Sequence, residues 1–220
     1  MSLFLNFKKL IIFNFYFLRI FFNIIWAKRG YMIRRVLLYK TLIFFITFQF
    51  AITGILISDE WDNQRIWLGL EMFPTILSAD KNITEKIDNN GKLLLVLLYE
   101  NKQNIADDMI KSLRKIGKIR NIPIEIEATN DFTLKKYETR NIAGIFLIER
   151  INHKQFKDVS RYGKKHSIIV FSPFEKDVEM GIPAGIIIYD RIFPYINQNA
   201  IKAYNVKLKD LFLEIAEQYD

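Results

Sequence analysis

The sequence predicts an α/β fold, with a mostly parallel sheet and helices on both faces, after an N-terminal hydrophobic leader. Short apolar runs alternate along the chain with segments whose apolar residues recur every three or four positions. The run at 93–98 is apolar at all six positions, which is typical of a strand buried on both faces of a parallel sheet. Alternating strands and helices favour one layered domain over residues 59–220.

The positive charge of the chain is concentrated in residues 1–58. Eight of the 32 Lys and Arg residues fall there with none of the 24 Asp and Glu residues, so residues 59–220 are electrically balanced. A nucleic-acid-binding protein carries its basic residues on the folded domain. We therefore predict that nucleic acid is not a partner.

The leader contains an apolar stretch at 36–57 whose only charge is Lys40, preceded by Arg34 and Arg35. A basic segment followed by an apolar run is the plan of a signal peptide, in which case Met32 is the true start and residues 1–31 are over-called. The run is also long enough to be a retained membrane anchor. Both alternatives place residues 59–220 in the periplasm or at the extracytoplasmic face of the inner membrane.

The first element after the leader is predicted to be a helix. Its apolar residues Ile66, Leu70 and Phe73 repeat at helical spacing, and Asp62 is a suitable N-cap. Pro74 is expected to kink or end this helix, because proline removes a backbone donor.

Further strands are predicted at 122–126, 142–148 and 168–171, with Pro123 indicating a position at the sheet edge. The segments 186–188 and 192–196 flank a turn and predict a hairpin. The sequence Ser-Pro-Phe-Glu at 172–175 predicts a helix that begins with a capping box. A last amphipathic helix is indicated by four apolar residues, Leu208, Leu211, Phe212 and Ile215.

Catalytic motifs are missing from the sequence. There is no Cys, no glycine-rich turn after the first strand and no Gly-x-Ser-x-Gly pattern. The only histidines, His153 and His166, lie in no metal-binding motif. We predict no catalytic residue, no metal and no cofactor, and therefore that the protein is not an enzyme.

Polar residues follow several predicted strands, where an open α/β sheet has its ligand crevice. Glu149 and Arg150 come after one strand, and Ser172 and Glu175 after the next. We take these four as candidates for binding a charged small molecule. For Ser172 and Glu175, helix capping is the competing explanation.

The segment 194–216 resembles the end of the YfiR-like family of bacterial periplasmic proteins, which has an Ile-Asn pair, a short helix, a turn and a Leu-rich last helix. Ile196 and Asn197 match the pair, and Asn205 stands where the family usually has a turn glycine. The start is also similar, with an aromatic-rich helix that reaches a proline. The similarity covers roughly residues 64–217, and the family's frequent cysteines are missing here.

This resemblance implies a non-catalytic periplasmic domain that restrains a membrane-bound signalling partner, such as a diguanylate cyclase or a sensor kinase. It also implies an α/β fold similar to half of a solute-binding protein, often as a homodimer. For the partner interface we predict an exposed apolar patch that includes Trp67, Tyr204 or Phe212. The competing explanation, which we favour, is that these aromatic side chains belong to the core. The alternative is a periplasmic solute-binding module that serves a transporter or sensor.

Overall fold

The computed structural model describes residues 60–220, and the predicted leader lies outside the described residues. Six α-helices are found in this part of the chain: α1 (described over 60–79), α2 (Gln103–Ile116), α3 (His153–His166), α4 (Glu175–Glu179), α5 (Gln198–Ala203) and α6 (Asp210–Ile215). Two short 3-10 helices lie at Ile83–Lys86 and Lys135–Tyr137. None of the helices within 60–220 combines the length and the apolar character that a bilayer crossing requires.

One eight-stranded sheet forms the centre of the domain. Its strands, again with their bounds, are β1 (Leu93–Leu98), β2 (Lys118–Ile119), β3 (Ile122–Thr129), β4 (Ile142–Leu147), β5 (Ile169–Ser172), β6 (Ala184–Ile188), β7 (Ile192–Asn197) and β8 (Glu217–Tyr219). The spatial order is β2-β3-β1-β4-β5-β6-β7-β8. All neighbours are parallel except β2 with β3 and β6 with β7. The predicted mostly parallel α/β fold is confirmed.

The connections create a switch point between β1 and β4. From β1 the chain crosses to β3 on one side, and then returns past β1 to build β4, β5 and β6 on the other side. Loops that leave β1 and β4 therefore diverge at the carboxyl edge of the sheet. In open α/β sheets such a point is where a crevice forms.

Helices cover both faces of the sheet, as predicted. Phe73 of α1 packs its ring 5.4 Å from the ring of Phe146 and 5.5 Å from that of Phe171. On the opposite face, a Cβ atom on Gly163 of α3 would lie 3.0 Å from Val170, whose side chain points away from that of Phe171. The sheet is therefore buried between two helical layers.

Two local predictions agree with the structure, and a third does not. The turn between β6 and β7 is closed by a hydrogen bond from the Tyr189 N–H to the Arg191 carbonyl, which confirms the hairpin. The edge position predicted for Pro123 is not found, because Pro123 lies on β3 and pairs with Lys118 of the two-residue edge strand β2. Asn205 adopts the left-handed conformation with φ of 52°, as expected for an asparagine in place of a turn glycine.

One prediction for the first helix is wrong, and one of the two alternatives for Pro74 is excluded. Asp62 is not an N-cap, because the residues before it are already helical, and Pro74 does not end α1, which continues to residue 79. Proline removes one hydrogen bond from a helix. Burial of four side chains against the sheet compensates for that loss, those of Ile66, Leu70, Phe73 and Leu77.

The last helix is shorter than its apolar spacing predicts. Leu208 and Phe212 are buried, whereas Leu211 is 75% exposed and Ile215 is 60% exposed. The helix ends at Ile215 because the chain then pairs β8 in parallel with β7. Half of the predicted apolar face therefore remains on the surface.

Candidate functional site

A cleft of about 600 Å³ lies at the carboxyl ends of β4, β5 and β6. Arg150 follows β4, Glu175 and Lys176 lie at the start of α4 after β5, and Ile188 ends β6. The N-terminal part of α1 forms the facing wall, with Trp61, Asp62, Arg65 and Leu68. Since side chains from four elements converge there, the cleft is the candidate functional site.

Two ion pairs join α1 to the strand ends. Asp62 and Arg150 approach to 3.1 Å, although 88 residues separate them in the chain. Arg65 and Glu175 approach to 2.6 Å across 110 residues. These pairs bring residues 62–65 of α1 over the sheet edge.

A third contact fastens the same part of α1 above β1. Lys102, in the loop after β1, donates a hydrogen bond of 3.0 Å from Nζ to Oδ1 of Asn63. We call the three contacts, Asp62–Arg150, Arg65–Glu175 and Asn63–Lys102, the α1 clamp. The clamp spans the loops that follow β1, β4 and β5, so it defines how far α1 lies from the strand ends.

Arg150 is held on two sides. Its Nε and Nη2 atoms donate to the two carboxylate oxygens of Asp62, at 3.4 and 3.1 Å. Its guanidinium lies 4.4 Å from the ring centre of Phe174, a cation–π contact. About half of the side chain is still exposed to the cleft. Arg150 is therefore oriented, and its charge is accessible to a ligand.

Glu149 does not face the cleft with Arg150, contrary to the sequence expectation. Its Oε1 accepts hydrogen bonds from the backbone N–H groups of Glu100, Asn101 and Lys102, at 2.9, 2.7 and 2.8 Å. Burial opposes ionisation of this carboxyl, but the three donors outweigh it, and the pKa of Glu149 is lowered. The carboxylate thus fills the crevice at the switch point, and the open cleft lies beside it.

Ser172 is fully buried and is not available to a ligand. Its hydroxyl donates to Oδ2 of Asp177 at 2.6 Å and accepts from the Phe174 N–H at 3.2 Å. Burial raises the pKa of Asp177, against the effects of Ser172 and of the Arg150 charge. The predicted capping box at 172–175 is therefore wrong. Phe174 is the N-cap of α4, because β5 extends through Ser172.

Of the four predicted ligand-binding residues, the structure brings Arg150 and Glu175 into the cleft. Sequence reasoning missed Trp61, Asp62, Arg65 and Lys176. The polar segment that precedes the apolar repeat of α1 was a usable signal for the first three. Nothing in the sequence shows that this segment returns to the ends of strands built many residues later.

The predicted partner interface is not formed by Tyr204 and Phe212. Tyr204 is completely buried, and its hydroxyl donates to Oγ of Ser160 on α3 at 2.9 Å. A Cβ atom on Gly163 would lie 2.5 Å from the Tyr204 ring, so this ring fills the space that the glycine leaves. Phe212 is also buried, at 7% exposure. Only Trp67, at 37% exposure, lies partly on the surface.

Metal-binding side chains do not cluster in the part of the chain that the structure describes. Within residues 60–220, no group of three or more His, Cys, Asp or Glu residues could hold a metal ion. His153 starts α3, and His166 ends it with its ring stacked on Tyr162 at 4.4 Å between ring centres. Neither histidine lines the cleft.

Comparison with family models and with curated proteins gives no match. Among solved structures, the chain is similar to an ABC domain from Streptococcus pneumonia in complex with L-Trp, with 12% identity and a TM-score of 0.41 over 65% of this chain. It is also similar to a substrate-binding protein with adhesive properties from Clostridium difficile, in a ligand-free open form, with 11% identity and a TM-score of 0.45 over 63% of this chain. The chain spans 60% and 58% of those two chains.

Proposed function

We propose that the domain is a non-catalytic, extracytoplasmic binding module for a small molecule, which it holds in the cleft between α1 and the strand ends. The observation that carries this proposal is the cleft itself, about 600 Å³ with charged and apolar side chains from four elements. Small-molecule sites are typically concave and measure roughly 300–1,000 Å³. The position at the carboxyl edge of a mostly parallel sheet supports the same function.

The chemistry of the cleft favours binding over catalysis. Its carboxylates, Asp62 and Glu175, are each paired with a guanidinium, that of Arg150 or of Arg65. The buried carboxyl near the cleft, Asp177, is bonded to Ser172 and is covered from solvent. These groups are arranged to present charge, which is what recognition of a ligand requires.

Thermal unfolding of the purified full-length chain tests this function. A panel of amino acids, organic acids, sugars and inorganic anions would be added singly. A true ligand at about 100 times its Kd stabilises by roughly 2.7 kcal/mol, which for a domain of this size raises Tm by about 5–10 °C. The Arg150→Gln variant should lose the shift. A panel without any stabilising member, or an equal shift in the variant, contradicts the proposal.

A second candidate is the regulatory role that the YfiR-like resemblance implies, in which the domain restrains a membrane cyclase or sensor kinase. One observation favours it. Leu211 and Ile215 are four residues apart on α6, on the same side of the helix, and both are exposed. Apolar side chains exposed together are typical of contact surfaces.

Co-purification from solubilised membranes of the source organism tests this second role. A Leu211→Glu, Ile215→Glu variant should lose a signalling partner that the unchanged chain retains. Glu214→Gln on the same helix is the matched control and should retain it. If the double variant still retains the partner, α6 is not the contact surface.

A further inference from the structure

We infer that the cleft takes a small organic anion, with a carboxylate at one end and an apolar body. The inference rests on the proposed function and names the chemical class of ligand for the same site. It follows from the charge balance of the cleft, the geometry around Arg150 and the position of the apolar side chains.

The cleft carries more positive than negative charge. Arg65, Arg150 and Lys176 line it together with two carboxylates, Asp62 and Glu175. Each arginine is paired with one carboxylate, whereas Lys176 makes no ion pair within residues 60–220. A ligand with one negative charge neutralises this excess, and a cationic ligand adds to it.

Arg150 already holds a carboxylate in the way that a ligand would be held. Two of its nitrogens contact the two oxygens of Asp62, which is the forked arrangement that guanidinium groups make with carboxylates. Asp62 belongs to α1, and the side chain of Arg150 is half exposed. Asp62 therefore acts as an internal competitor that a ligand carboxylate displaces from Arg150.

The apolar side chains explain why the anion is organic. Trp61 is 67% exposed, and Leu68 and Ile188 line the same cleft. Inorganic phosphate or sulfate would satisfy the arginines and leave these three side chains in water. A hydrocarbon or aromatic body next to the carboxylate covers them, and removal of that surface from water adds to the affinity.

Isothermal titration of the full-length chain with four probes tests the inference: phenylacetate, the neutral phenylacetamide, the cationic phenethylamine and inorganic phosphate. Phenylacetate should bind at least ten times more tightly than each of the others. If the amide, the amine or phosphate binds as tightly as phenylacetate, the inference is overturned. If another compound of the broad thermal panel binds in the cleft instead, the proposed function stands without it.

Two variants with opposite expected effects make the test independent of folding defects. Arg150→Gln should weaken phenylacetate binding about tenfold or more, and Asp62→Asn should tighten it severalfold because the competitor loses its charge. The control is Asp210→Asn. Asp210 begins α6 and pairs at 3.1 Å with Lys81, which follows the C-terminal end of α1, so this variant should leave phenylacetate binding unchanged. Weaker binding by Asp62→Asn overturns the inference. If no compound of either panel binds, both the inference and the proposed function are rejected.

Discussion

The ion pairs of Arg140 with strand β3 and the ion pairs of the cleft contain the same kinds of charge in different settings. Arg140 pairs with Glu127 and, at 3.1 Å, with Glu125, and these partners lie within 15 residues of it. The cleft arginines instead find their partners 88 and 110 residues away, across the gap between α1 and the strand ends. The local pairs join β3 to the segment just before β4, whereas the distant pairs join α1 to the strand ends.

The surroundings of the two clusters also differ. Glu127 accepts further hydrogen bonds from the hydroxyl of Tyr137 at 2.9 Å and from Nζ of Lys136 at 3.3 Å. Its carboxylate is thus shared by three donors, and its partner Arg140 borders a smaller pocket of about 280 Å³. In the cleft each pair is bordered by open volume and by apolar side chains. The charge pairs at β3 therefore hold that strand to its neighbours, whereas those of the cleft adjoin the volume in which we propose that a ligand binds.

The largest expected effect comes from removal of the packing that holds α1 on the sheet. Phe73→Ala should lower the free energy of unfolding by about 3–5 kcal/mol, since it deletes a fully buried ring between Phe146 and Phe171. Chemical denaturation measures this change. Phe193→Ala, at a partly exposed ring, is the control and should cost clearly less. Equal losses would show that α1 does not depend on this contact.

The next effect concerns the carboxylate that fills the switch point. Glu149→Ala leaves three backbone donors without their shared acceptor and should cost roughly 1–3 kcal/mol. Amide hydrogen exchange should show faster exchange at Glu100, Asn101 and Lys102. Glu100→Ala is a suitable control, since Glu100 takes part through its backbone N–H. Unchanged exchange at these amides would contradict the assigned role of Glu149.

A smaller effect is expected at β3, with a defined pH dependence. Burial raises the pKa of Glu127, but hydrogen bonds from Arg140, Tyr137 and Lys136 outweigh burial and lower it below the ordinary value. The carboxylate therefore stabilises the fold above the pKa of the unfolded chain, and this contribution is lost as pH falls through the folded pKa.

Glu127→Gln should therefore cost roughly 1–2 kcal/mol at pH 7, and the difference from the unchanged chain should shrink below about pH 4. Urea unfolding at pH 7 and at pH 3 measures both values. A difference that is the same at both pH values would show that the charge of Glu127 contributes nothing.

The smallest effect on stability is expected in the cleft. Asp62→Asn should cost less than about 1 kcal/mol, because the partner Arg150 is half exposed and exposed ion pairs contribute little. The same urea titration provides the comparison with Glu127→Gln. A loss in the cleft as large as the loss at β3 would remove the distinction between the two clusters.

The sequence was sufficient to predict the elements whose signals are local. The fully apolar run of β1 and the hairpin between β6 and β7 follow from patterns within a few residues. The cleft could be predicted only in part. Arg150 and Glu175 stand where strand ends are expected, whereas Asp62 and Arg65 contribute through contacts that depend on the docking of α1.

Two errors have physical causes that a local pattern does not reveal. Ser172 is followed by the residues of a capping box, but it is the last residue of β5. Its hydroxyl donates a hydrogen bond to Asp177 and does not cap a helix. Tyr204 was a candidate for an exposed patch, but Gly163 on α3 leaves room for its ring in the core. In both cases a distant partner decides where the side chain lies.

The docking of α1 on the sheet also has a consequence for the order in which the domain is assembled. α1 is synthesised before every strand of the sheet, and Phe73 and Leu77 find their places only when β4 and β5 exist. Contacts between distant parts of a chain form late, and apolar surface that waits for them is open to aggregation. The helix that closes the cleft in the finished protein is therefore the element most exposed to misassembly while the chain is being made.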